Sequence, residues 1–111
     1  MDIIFATTKL EKLCNDDKTA TRSLGTASAR KLRGRLDDLQ ALKVLSPAFQ
    51  LPGRFHPLSH DRAGQYAFEL QGGCRLVVEP FADPLPKLSD GSVDLTKITA
   101  VKVVFVGDYH D

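Results

Sequence analysis

The sequence lacks the features by which membrane, secreted and metal-binding proteins are usually recognised. Its longest apolar stretches, such as residues 103–106, fall far short of the ~20 residues that a membrane-spanning helix needs. No basic segment precedes an apolar one at the N-terminus, so no secretory signal is predicted. The two cysteines, Cys14 and Cys74, form no CxxC pair, which argues against a zinc knuckle or a disulfide framework. We therefore expect a cytoplasmic protein with both thiols reduced.

A strong net charge is also missing. The 15 Lys and Arg side chains oppose 14 Asp and Glu, and the resulting +1 does not by itself indicate a nucleic-acid-binding protein. With 42% hydrophobic and 26% charged residues, the composition is that of a globular chain rather than a disordered one. A single domain over residues 1–111 is predicted, because two halves would each be too small for a core of their own.

The charges are nevertheless unevenly distributed. Residues 1–75 hold 12 basic and 8 acidic side chains, whereas residues 76–111 hold 3 and 6. No acidic residue falls between positions 18 and 36, which contain six basic ones: Lys18, Arg22, Arg30, Lys31, Arg33 and Arg35. Such a run is typical of a solvated helix face, and it also suits a surface that attracts phosphate. The pattern permits an RNA partner without requiring one.

The first half of the chain reads as a short strand followed by two helices. Residues 3–5 are β-prone, and Thr8 with Glu11 fits a capping box that starts a short helix ending near residues 15–17. A longer helix follows Gly25, with Thr26 or Ser28 as its N-cap. Its apolar face has helical spacing: Ala29, Leu32, Leu36 and Leu39, extended by Leu42 and Leu45. Proline at position 47 ends this helix.

In the second half the hydrophobic period changes to two. Apolar side chains at alternate positions indicate a strand: Tyr66, Phe68 and Leu70. If Gly72 and Gly73 form a two-residue turn into a strand over residues 74–79, Leu70 pairs with Arg75 and Phe68 pairs with Val77. Arg75 then projects on the same side as Phe68 and Leu70. That is unusual for a core face and suited to an active site.

These elements predict an α+β fold in which an N-terminal strand and two helices pack on one face of an antiparallel sheet. A valine-rich segment over residues 100–107 supplies the last strand. Before it, the proline-containing connection over residues 82–98 has no clear period. Connections of this length are uncommon and tend to be functional or mobile.

Residues that suit chemistry gather in the loop after position 51 and at the end of the chain. The loop carries two histidines and two arginines: Arg54, His56, His60 and Arg62. The spacing of the two histidines would suit metal ligands on a helix, but Pro57 indicates a loop, so no metal site is predicted. Arg62 and Arg75 carry planar guanidinium groups that match phosphate oxygens. In the alternative interpretation they form surface salt bridges with Asp61, Glu69 or Glu79.

The last strand leads into Asp108, Tyr109 and His110. Taken alone these residues read as a solvated tail. However, they directly follow a segment that the sheet should hold, and a histidine and a tyrosine at such a place are suited to proton transfer.

Three blocks together resemble HigB-type toxins of the RelE/ParE superfamily. The first comprises residues 52–58 (PGRFHPL) and 61–66 (DRAGQY), the second is residues 74–77 (CRLV), and the third is residues 108–110 (DYH). They occur in the family's order from about residue 22 to the end, interrupted by an expanded connection near residues 82–98. One departure is residues 58–61 (LSHD), where the family commonly has a lysine, so the expected basic residue is missing unless His60 substitutes for it.

The resemblance implies a RelE-like α+β fold and a toxin of a type II toxin–antitoxin system. Its implied partners are a HigA-like helix-turn-helix antitoxin and mRNA, which characterised relatives cleave on the ribosome. Carried over by position, the active-site residues would be His56, Arg75, Asp108, Tyr109 and His110. Arg62 would contact phosphate, with Arg54 and His60 beside it on the substrate. The implied endoribonuclease needs no metal and no cofactor.

Two alternatives to a ribonuclease stay open. The nearly neutral charge favours a protein that acts only by binding, either a ParE-like inhibitor or a degenerate toxin that retains only its antitoxin. The simplest interpretation is an α+β domain whose histidines and arginines are structural. It would gain support if His56, Arg75 and His110 lay far apart.

Overall fold

The computed structural model describes residues 1–108, in which the helices precede most of the sheet. Strand β1 (Asp2–Phe5) comes first and is followed by α1 (Thr8–Asn15), α2 (Asp17–Leu24) and α3 (Thr26–Ala41). The other strands are β2 (His56–Pro57), β3 (Tyr66–Glu69), β4 (Cys74–Pro80) and β5 (Ala100–Asp108). Short 3-10 turns lie at Ser46–Gln50, His60–Arg62 and Leu95–Lys97.

The described chain has three helices where the sequence predicted two, because Asp16 starts a second short helix. Its carboxylate accepts hydrogen bonds from the backbone N–H of Lys18 and from the hydroxyl of Thr19, both at 3.0 Å. These bonds hold the pKa of Asp16 below its usual value, and the Thr19 hydroxyl has the largest effect. The chain therefore turns at Asp16 and continues as α2.

The helix caps also differ from the predicted ones. The Thr7 hydroxyl caps α1, so Thr8 and Glu11 lie inside the helix rather than forming a capping box at its start. Gly25 precedes α3 with φ of 86°, a left-handed conformation that glycine adopts without a steric penalty. The predicted caps of the long helix lie within it: Thr26 and Ser28.

Helix α3 buries the face that its spacing predicted. Leu32, Leu36 and Leu39 are at most 2% exposed. They join one core with side chains from the sheet and the loops, which include Leu45, Phe68, Leu76, Val78, Ile98, Val101 and Val103. Burial of this apolar surface is the main force that holds the helices on the sheet.

The sheet has strand order β1-β5-β4-β3-β2. Strands β3, β4 and β5 pair antiparallel, as predicted. Strand β2 lies in the segment predicted as a loop and pairs antiparallel with β3, whereas β1 and β5 run parallel. The predicted α+β class, with helices packed on a sheet, is confirmed. The parallel first pair, the third helix and the end of the long helix, which lies at Ala41 and not at Pro47, are differences from the prediction.

The β3–β4 hairpin has a different register from the predicted one. Phe68 pairs with Leu76 and Glu69 pairs with Arg75, while the N–H of Leu70 bonds to the carbonyl of Cys74 at 2.9 Å. The turn is therefore longer than the two residues assumed in the prediction. A one-residue change of register moves a side chain to the other face of a sheet. The prediction that Arg75 shares a face with Phe68 is wrong.

The connection between β4 and β5 packs on the core instead of standing away from it. Ala82, Leu85, Val93 and Leu95 contact the core cluster, and Lys87 and Val93 form an isolated bridge. Ile98 has no exposed surface. Over residues 1–108, none of the helices combines the length and the apolar composition needed to cross a membrane.

Candidate functional site

The two faces of the sheet differ in what covers them. Directly paired residues of neighbouring strands share a face, and successive residues alternate. Phe68, Leu76 and Val106 form one paired row, which faces the helices. The adjacent rows lie on the opposite side, here called the open face: Glu69, Arg75 and Gly107; Ala67, Val77 and Phe105; and Glu79 with Lys102. Three segments therefore contribute charged side chains to the open face.

The floor of the open face is apolar. Ala67 and Val77 have no exposed surface, yet neither belongs to the core cluster beneath the helices. Because low-dielectric surroundings strengthen the field of nearby charges, polar groups above such a floor act on a ligand more strongly than groups in open water.

Glu69 joins two arginines at one end of the open face. Its carboxylate oxygens contact Arg54 Nη1 at 2.9 Å and Arg75 Nη2 at 3.5 Å. Arg75 Nη1 also donates to the carbonyl of Gly73 at 2.6 Å. The Arg75 side chain is 25% exposed, whereas that of Arg54 is 80% exposed. Arg75 is thus held in place, and Arg54 reaches into solvent.

His56 lies on the open face because it pairs with Ala67. Its Nδ1 is 2.6 Å from the carbonyl oxygen of Arg54. Since a carbonyl can only accept, Nδ1 is the donor in this contact. The backbone that makes this contact is unusual, because Gly53 and Arg54 both have positive φ, 103° and 53°. This geometry explains why glycine precedes the arginine in the motif.

A second group of polar side chains surrounds Arg62. Ala63 has φ −54° and ψ 136°, and Gly64 has φ 88°, which are the angles of a type II turn. The turn brings Arg62 and Gln65 side by side, and Arg62 Nη1 donates to Gln65 Oε1 at 3.1 Å. Gln65 in turn donates to Glu79 at 3.3 Å.

The Arg62 guanidinium also lies over an aromatic ring. Its carbon Cζ is 4.8 Å from the centroid of the Phe105 ring, within the range of a cation–π contact. Arg62 therefore contacts both the loop that carries it and strand β5.

The predicted site residues lie at several places in the described part of the chain. Arg54, His56, Arg62 and Arg75 come together on the open face. Asp108 pairs with Cys74, in the row next to that of Arg75, so strand alternation places it on the opposite side of the sheet from Arg75, with its carboxylate against Gly73. His60 is exposed, in the 3-10 turn that it shares with Arg62. Tyr109 and His110 lie outside the described residues.

Gln65 and Phe105 were not predicted as site residues, and Glu69 was predicted only as a salt-bridge partner of an arginine. The strand alternation would have placed Phe105 on the same face as Gly107. The contact with Arg62 depends on how a loop folds over the sheet, which no local pattern reveals. Within residues 1–108, no three His, Cys, Asp or Glu side chains cluster as metal ligands would.

The fold defines a class: small α+β proteins with helices on one sheet face and polar side chains on the other. Neither a protein-family model nor a curated protein sequence matches the chain. Among solved structures, a YoeB/ParE toxin from Agrobacterium tumefaciens is similar, with a TM-score of 0.59 and 14% sequence identity over 99% of this chain and 100% of that chain. At this identity the likeness shows a shared fold. It agrees with the fold that the sequence resemblance implied.

Proposed function

We propose that this chain is the toxin of a type II toxin–antitoxin system and that it cleaves translated mRNA on the open face. The observation that carries the proposal is the meeting of Arg54, His56, Arg62 and Arg75 on one side of the sheet. Arg75 comes from β4 and the other three from the segment that precedes β3, and unrelated surface residues need not share one face. The shared fold with a protein named as a YoeB/ParE toxin supports the same assignment.

The chemistry follows from the residue types. Cleavage requires a base to remove the proton of the ribose 2′-hydroxyl, whose oxygen then attacks phosphorus. The bond to the 5′-oxygen breaks as that oxygen receives a proton from an acid, and a 2′,3′-cyclic phosphate remains. His56 suits one of these proton transfers, because its contact with the Arg54 carbonyl uses Nδ1 and not Nε2, and His110 suits the other. Arg75 stabilises the charge that grows on the phosphoryl oxygens.

The other predicted residues take supporting roles. Arg62 and Arg54 bind neighbouring phosphates, with His60 on the same loop. Asp108 orients the end of the chain or accepts a hydrogen bond from an imidazole, and Tyr109 positions or stacks on a base. The HigB subtype and its HigA-like antitoxin belong to this proposal, because they rest on the motifs and not on the fold.

A second candidate function is inhibition by binding alone. Glu69 favours it, because one carboxylate contacts two of the arginines and reduces the positive charge available to RNA. A ParE-like inhibitor would arrest growth and leave mRNA intact.

The test is induced expression in bacteria of the wild type, His110→Ala, Arg75→Ala and a matched control, Arg22→Ala, with genome-wide mapping of mRNA 5′ ends. Arg22 is an exposed arginine on α2, away from the open face. We expect new ends within coding regions for the wild type and Arg22→Ala, and their loss in the other two at equal soluble protein. Arrest with unchanged ends would support the binding function instead.

A further inference from the structure

Arg62 is held by contacts from two directions. Below its guanidinium lies the Phe105 ring, 4.8 Å from Cζ. Beside it lies Gln65, whose amide accepts from Arg62 at 3.1 Å and donates to Glu79 at 3.3 Å. Lys102 Nζ is 3.9 Å from the other oxygen of Glu79. The guanidinium is therefore oriented by a ring from β5 and by a hydrogen-bonded chain that ends on β4.

The Phe105 ring is placed by a glycine two positions later. A Cβ on Gly107 would stand 3.2 Å from Cζ of Phe105, and Gly107 has φ of 152°, which other residues rarely adopt. The ring thus lies over the backbone of Gly107, which is the residue paired with Arg75. This places the Phe105 ring between Arg62 above it and the row that contains Arg75.

We propose that Phe105 is a positioning residue, which with Gln65 fixes the Arg62 guanidinium beside Arg75 so that the two form one cradle for the RNA backbone. The inference rests on the proposed function and deepens it, because it assigns single-stranded RNA phosphate to a pair of pre-oriented guanidinium groups. An unrestrained arginine loses much rotamer freedom on binding, and orientation in advance reduces that loss.

The experiment measures binding of a fluorescent single-stranded RNA whose 2′-O-methyl groups remove the nucleophile, so cleavage cannot intervene. Four proteins form a double-mutant cycle: wild type, Arg62→Ala, Phe105→Leu and the double variant. We expect Phe105→Leu to weaken binding about threefold to tenfold when Arg62 is present. In the Arg62→Ala background, Phe105→Leu should have no further effect.

Controls separate this inference from a general loss of structure. Phe49→Leu removes a different, exposed ring, which packs on the rings of Phe55 and Tyr66, and should leave binding unchanged. Gln65→Met removes the hydrogen bonds to Arg62 and Glu79 and leaves the Phe105 ring in place, and it should weaken RNA binding as Phe105→Leu does. It keeps the test informative if Phe105→Leu folds poorly.

Two outcomes would overturn the inference in different ways. If Phe105→Leu weakens binding equally with and without Arg62, the ring contacts RNA itself and does not act through Arg62. If Arg75→Ala and Arg62→Ala leave binding unchanged, or the wild type binds no RNA, the proposed function fails and the cradle fails with it. If Arg75→Ala weakens RNA binding, and the effects of Arg62→Ala and Phe105→Leu on binding simply add, the proposed function stands and only the role of Phe105 is rejected.

Discussion

Arg54 and Arg75 share the carboxylate of Glu69 but differ in how firmly they are held. Arg75 has a second bond to the Gly73 carbonyl and is mostly covered, whereas Arg54 is 80% exposed. Exposed ion pairs contribute little to stability, so the contact of Arg54 with Glu69 orients that side chain weakly. At the scale of single residues, the two arginines should therefore respond differently to the same conservative change.

We predict that Arg75→Lys is nearly as damaging as Arg75→Ala, whereas Arg54→Lys is mild. A lysine at position 75 keeps the charge but cannot bridge Gly73 and Glu69 with a planar fork, so RNA cleavage should fall about tenfold or more. At position 54 a solvent-exposed ammonium replaces a solvent-exposed guanidinium, and RNA cleavage should fall by less than about threefold. Single-turnover cleavage of a labelled RNA measures both. Equal losses at the two positions would show that only total charge matters.

At the scale of elements, two glycines have opposite roles in regions where a Cβ would meet no other atom. Gly34 lies inside helix α3, and Gly64 lies at the third position of the type II turn with φ of 88°. Glycine in a helix costs conformational entropy, whereas a positive φ is a conformation in which alanine is strained. An added Cβ would meet no atom at either position, so backbone conformation alone determines how alanine changes the stability.

Gly34→Ala should accordingly stabilise the protein and Gly64→Ala should destabilise it, each by about 1 kcal/mol. For a domain of this size that corresponds to shifts in Tm of about 4 °C in opposite directions. Thermal unfolding followed by circular dichroism measures both. Gly64→Ala should also weaken RNA binding, because the turn places Arg62 beside Gln65. Weakened RNA binding by Gly34→Ala would argue against this account.

The elements also show what the sequence could predict. The apolar face of α3 was predictable because its residues contact the core at helical spacing, a local property. The register of the β3–β4 hairpin was not, because one additional turn residue reverses the face on which Arg75 lies. The parallel pairing of β1 with β5 joins residues nearly 100 positions apart in sequence, for example Asp2 with Ala100, and has no local signal. His56 and Arg75 share a face through their strand register, whereas Arg62 reaches that face because the loop that carries it folds over Phe105.

At the scale of the whole molecule, burial of one thiol links stability to pH. Cys14 is 4% exposed within the core, and this burial raises the pKa of its thiol from 9.0 to about 11, although the charge of Arg33 opposes the shift. The folded protein therefore holds the Cys14 proton more tightly than the unfolded chain does. Its contribution to stability is complete below pH 9 and is lost as the pH rises toward 11. Tyr66, whose pKa is also raised by burial, acts in the same direction.

Cys14→Ala isolates the thiol from the other groups that titrate in alkali. The wild type should lose about 2 kcal/mol more unfolding free energy than the variant between pH 8 and pH 10.5, because only the wild type has a buried thiol that the unfolded chain ionises first. Urea denaturation of both proteins at the two pH values gives this difference. Val103→Ala is the control for a buried side chain that carries no ionisable group, and its pH dependence should follow the wild type. Parallel losses in the wild type and Cys14→Ala would mean that the Cys14 thiol is reached by water in the folded state.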